Sequence, residues 1–118
     1  MPITTTADKN ALLDKLSVCY NRTSVLLLTC QQQGLNDEAA RVQIRKDRLD
    51  LETENLISNL LNDWIGVATT LGGTIDTSNQ RLTQAVADIQ GDINTAQNIV
   101  QALGYIDQVV GIAAKLLA

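Results

Sequence analysis

The chain has 118 residues, no histidine, no phenylalanine, one proline and three aromatic side chains, Tyr20, Trp64 and Tyr105. Apolar residues make up 45 % and charged residues 19 %, which excludes a disordered chain, and the length fits one domain over residues 1–118. Nine basic side chains against thirteen acidic ones leave a net charge of −4, which offers no field for nucleic acid, and the missing histidines remove most acid–base and zinc chemistry.

Met1 to Asn10 is polar and threonine-rich, without the basic and apolar regions of a secretory signal, so the expected location is the cytoplasm. No window of 18 uninterrupted apolar residues occurs, which argues against a conventional membrane span.

The first predicted helix runs from about Ala7 to Gln33. Leu12, Leu16, Cys19, Thr23, Leu26 and Cys30 alternate at spacings of four and three, which makes one packed seam. Thr6 is the expected N-cap, and Gly34 the residue just past the end. Cys19 and Cys30 share this helix roughly 16 Å apart, too far for a disulfide, and their place on the seam predicts buried, inert thiols.

The second predicted helix runs from Asp37 to about Leu71. Its first half is charge-rich, with Val42 and Leu49 on the main seam and Ile44 and Leu51 on a different face. Two apolar lines on one helix imply neighbours on two sides. Its second half, with Leu56, Ile57, Leu60, Leu61, Trp64, Ile65, Ala68 and Leu71, is expected to be the best-buried part of the chain.

After Gly72-Gly73, Thr74 is the expected cap of a third helix. Ile75, Asn79, Leu82, Val86, Ile89, Ile93, Ala96, Val100 and Leu103 hold strict four-three spacing. Past Gly104 the phase slips by one residue, to Ile106, Val110, Ala113 and Leu117, so a break near Gly104 would add a fourth helix. The expected fold is an all-α, elongated up-and-down bundle of three long helices, or four with that break. At 1.5 Å per residue the three helices span roughly 40, 52 and 66 Å, a mismatch that leaves part of the last one for another copy to cover.

Catalytic chemistry finds no foothold. Asp47, Asp50 and Glu54 share a helical face that could hold a hard cation, but Arg45, Lys46 and Arg48 are interleaved, and pairs such as Lys46–Asp50 and Arg48–Glu52 fit ordinary helix salt bridges. No serine has a histidine partner, and no phosphate-binding loop occurs. The chain is read as a non-enzyme with no catalytic residue, no cofactor and no metal.

The last 17 residues are the most apolar, with Gly104, Asp107, Gln108, Gly111 and Lys115 collected on one narrow stripe. The expected function is therefore a protein–protein interaction or assembly module acting through the apolar C-terminal helix. Its interface would comprise Leu103, Ile106, Val110, Ile112, Leu116 and Leu117, with Ile44 and Leu51 as a second contact line. The partner would be a second copy or another helical protein, with no nucleic acid. The alternative is a membrane-active protein, a pore or toxin component whose C-terminal helix inserts into lipid.

Overall fold

The seam of the first helix lies where its spacing puts it. In the computed structural model, which describes residues 2–117, α1 (Thr6–Gln32) buries Leu12, Leu16, Cys19, Thr23, Leu26 and Cys30. Its cap is Thr5 rather than Thr6: the Thr5 hydroxyl accepts from the Asp8 amide at 3.2 Å. Gly34, at φ +73°, turns the chain just beyond its end.

Three further helices follow among the described residues: α2 (Asn36–Ser58), α3 (Ala68–Gln90) and α4 (Thr95–Lys115). The fold is all-α, with up-and-down packed helices. Both later breaks differ from the glycine-based expectation. The second helix ends at Ser58 instead of Leu71, and Gly72-Gly73 lies inside α3. The third break lies at Gly91–Asn94, where Asp92 (φ 56°) and Asn94 (φ 45°) adopt left-handed conformations, and Gly104 is an interior residue of α4. Asp and Asn tolerate that conformation better than other side chains, so they turn the chain where glycine was expected to.

Contacts fix the arrangement. Lys15 pairs with Asp76, and Gln90 near the end of α3 donates to Thr29 near the end of α1, so these helices run parallel side by side. Arg45 of α2 pairs with Asp107 of α4, making the second side-by-side pair. α1 packs on α2 and α3 on α4, whereas α2 and α3 occupy opposite corners without contact. The α2–α3 connector, residues 59–67, therefore crosses one end of the bundle diagonally. Trp64 lies on it, fully buried, outside any helix, with its indole N–H donating to the Asn59 carbonyl at 3.1 Å. The buried Lys9 ammonium donates to the Leu60 carbonyl at 2.9 Å, beside the end of α2 where the helix dipole is negative, and lies 5.9 Å from the centre of the Trp64 ring.

The length mismatch is thereby removed. Four helices of 27, 23, 23 and 21 residues fit a body of 43 × 22 × 17 Å, with no helix near the roughly 66 Å expected of the third among the described residues. Among the described residues, no helix is long and apolar enough to cross a membrane.

Candidate interaction surface

α4 turns its apolar side inward. Leu103, Ile106, Val110 and Leu116 are buried in the protomer's own core, and Ile112 and Leu117 are half-buried against it. The expectation that these six form a free contact face is corrected for Leu103, Ile106, Val110 and Leu116, which the protomer's own helices cover; Ile112 and Leu117 are covered in part. The physical reason is the break at Gly91–Asn94, which folds α4 back along the bundle. The narrow stripe of Gly104, Asp107, Gln108 and Lys115 faces solvent, with Gly111 partly covered.

Ile44 and Leu51 behave otherwise. They are 64 % and 55 % exposed, seven residues apart on the face of α2 opposite the buried line Val42, Leu49 and Leu56. Single exposed aliphatics are common on any protein. Two at heptad spacing, on the outer side of a regular helix with the exposed Ala40 one turn before, make a line on which another helix can lie.

The line has two unlike edges. Successive residues turn by about 100°, so Arg48, Arg41 and Arg45, with the half-buried Glu52 among them, lie roughly 40° to 100° to one side of Ile44, and Asp47, Glu54 and Asp50 roughly 60° to 120° to the other. Contacts fix which edge is which. The Arg45 guanidinium donates to both carboxylate oxygens of Asp107, at 2.9 and 3.2 Å, which puts the basic edge beside α4. The Lys46 ammonium lies 5.3 Å from the centre of the Tyr20 ring of α1, on the acidic side. Arg41, Arg48, Asp47, Asp50 and Glu54 are exposed. The expected Lys46–Asp50 and Arg48–Glu52 bridges do not form; among the described residues the ion pairs are Lys15–Asp76 and Arg45–Asp107.

Other surface features are weaker. Leu61 and Ile65, expected in the core, are exposed together with Val67 on the connector, because the helix that would have buried them stops at Ser58, and Ile57, still inside α2, faces outward next to the buried Leu56. They do not share one face: Ile65 lies with Leu71 and Leu116, and Val67 with Pro2 and Ile3. Val100 is 69 % exposed on the outside of α4. Shallow grooves of about 490 Å³ between α1 and α3 and about 500 Å³ beside α4 are open to solvent, and no metal-ligating cluster occurs among the described residues.

The thiols of Cys19 and Cys30 are free and buried. Burial pushes Cys19 up to about 11, against a smaller opposing effect of its hydrogen bond with Thr23, and burial followed by the Glu38 charge raises Cys30. Neither is a ready nucleophile at neutral pH. Compared with protein families, curated proteins and solved structures, the chain matches none of them.

Proposed function

We propose that this chain is a non-catalytic helical interaction or assembly module that holds a partner helix against the outer face of α2. The observation that supports it is the exposed pair Ile44 and Leu51 on the side of α2 away from its own core, between a basic and an acidic edge. Apolar side chains supply the drive for association, at about 25 cal/mol per Å² of surface removed from water, and the charged edges set which partner and orientation fit. The buried side chains of α4 hold the bundle together and so position α2. The test is photo-cross-linking in the cells that make the protein, with benzoylphenylalanine at position 44 or 51 and, as control, at the exposed Asn21 of α1. A discrete adduct from the α2 positions, absent from the control and lost when the other stripe residue becomes aspartate, is expected. No adduct from α2, or equal adducts from Asn21, would overturn the reading.

A further inference from the structure

Building on the reading that the outer face of α2 is a contact surface, we propose that its occupant is a second copy of this chain, lying with its α2 parallel to the first. Symmetry and charge both favour this pairing. A twofold pair presents the same patch from both sides, so the patch must be complementary to itself. Two orientations bring the Ile44–Leu51 lines together. With the twofold along the helix axis, the α2 helices run parallel, and the basic edge of each copy faces the acidic edge of the other. With the twofold across the helices they run antiparallel, and basic edge meets basic edge while acidic meets acidic. Arg41 and Arg48 outweigh the half-buried Glu52 on one side, and Asp47, Asp50 and Glu54 line the other, all free of ion pairs among the described residues. The first orientation therefore sets a net basic edge against an acidic one twice, and the second sets acidic against acidic and net basic against net basic. Arg45 adds less because Asp107 already holds it.

α2 has 23 residues and is about 34 Å long, so a contact through one helix from each copy falls at or below the small end of stable interfaces. The dimer is accordingly a weak one, formed in the high-micromolar range and weakened by salt, which screens the two edges. Packing α2 on α2 leaves the α3 corner of each protomer free, since α3 is diagonal to α2.

Sedimentation equilibrium of the purified full chain, from low micromolar to millimolar at low and high salt, tests the proposal. A monomer–dimer equilibrium is expected, weakened more than tenfold by Ile44→Asp with Leu51→Asp at unchanged helical circular dichroism. Arg41→Glu with Arg48→Glu makes both edges acidic and also weakens it at least tenfold; adding Asp47→Lys and Glu54→Lys to the same chain restores pairing. An antiparallel pair would show no such loss and rescue. Asn55→Cys, on the same exposed face, reports orientation separately: it gives a disulfide-linked dimer in the parallel pair, whereas in the antiparallel one the two thiols lie far apart. A monomer at every concentration, a dimer indifferent to Ile44→Asp with Leu51→Asp, or charge variants that pair like the parent would overturn the proposal. A monomeric purified chain whose α2 still cross-links to a different protein in cells overturns this inference alone and leaves the interaction module standing.

Discussion

Ile3 and Trp64 exchange two backbone hydrogen bonds, each residue's amide donating to the other's carbonyl, so the start of the chain and the α2–α3 connector close one end of the bundle together. The Ile65 amide donates to the Leu116 carbonyl at 2.8 Å, which brings the end of α4 into the same closure. Three segments distant in sequence thus meet around one buried indole.

Trp64→Ala should therefore lower stability by about 3–5 kcal/mol, the usual cost of emptying a large buried aromatic site, and Trp64→Phe by less. Urea unfolding measures both. Trp64 is also the sole tryptophan, so the folded chain should emit at short wavelength, shielded from iodide, and shift to the red on unfolding.

Glycine substitutions should separate by conformation. At Gly73 and Gly104 an added methyl group meets nothing within 4 Å inside a helix, so Gly73→Ala and Gly104→Ala should each stabilise by about 0.5–1 kcal/mol. Gly34 (φ +73°) and Gly66 (φ +120°) are in conformations other residues avoid, and a Cβ at Gly66 would lie 2.6 Å from Leu71 Cδ1. Gly34→Ala and Gly66→Ala should both destabilise, the second more. Thermal melting of the four variants gives the order.

These same glycines show what the sequence made legible. The all-α fold, the seam of α1 and its end at Gly34 could be read from period and composition alone. The connector could not, because Leu60, Leu61, Trp64 and Ile65 continue the helical period across it. The local signals were Asn59, Asn62, Asp63 and Gly66, turn-forming residues outweighed by the apolar pattern. The phase slip in the last third was a true sign of a break set at the wrong residue. Leu103 fits both phases, and the later one extends back to Ile99, which is buried, while Ile93 and Val100 of the earlier phase are exposed. Of the expected contact residues, Ile44 and Leu51 lie at the surface because no second line was needed inside a bundle whose core one α2 seam already fills. Leu103, Ile106, Val110 and Leu116 went inside once α4 folded back, and Ile112 and Leu117 did so in part.

Alkaline pH should weaken the fold through the cysteines. Cys19 is pushed from 9.0 up to about 11 in the native state. Between those values the unfolded chain gives up a proton that the native chain keeps, so stability is full below about pH 9 and falls as pH rises toward 11, by about 2–3 kcal/mol for this thiol. Cys30 shifts in the same direction and adds to the fall. Denaturant titrations from pH 8 to 11 on the parent and on Cys19→Ala should show the pH slope reduced in the variant. At pH 8, both thiols should resist Ellman's reagent until the chain is unfolded.

Interior and surface aliphatics should respond in opposite ways. Ile106→Ala, at a fully buried site, should cost about 2–5 kcal/mol. Ile44→Ser and Leu51→Ser should each leave stability within about 0.5 kcal/mol while weakening association. Chemical unfolding of the three variants, set beside their sedimentation, separates folding from contact.

Carbene footprinting of the chain at low concentration and in its associated state measures most directly where contact occurs. Labelling of Ile44 and Leu51 should drop on association, with Ile106 unlabelled in both states and Leu61 and Val100 unchanged. Protection centred on Val100 or on the connector residues Leu61 and Ile65, with Ile44 and Leu51 labelled as before, would contradict the assignment of α2 as the contact face.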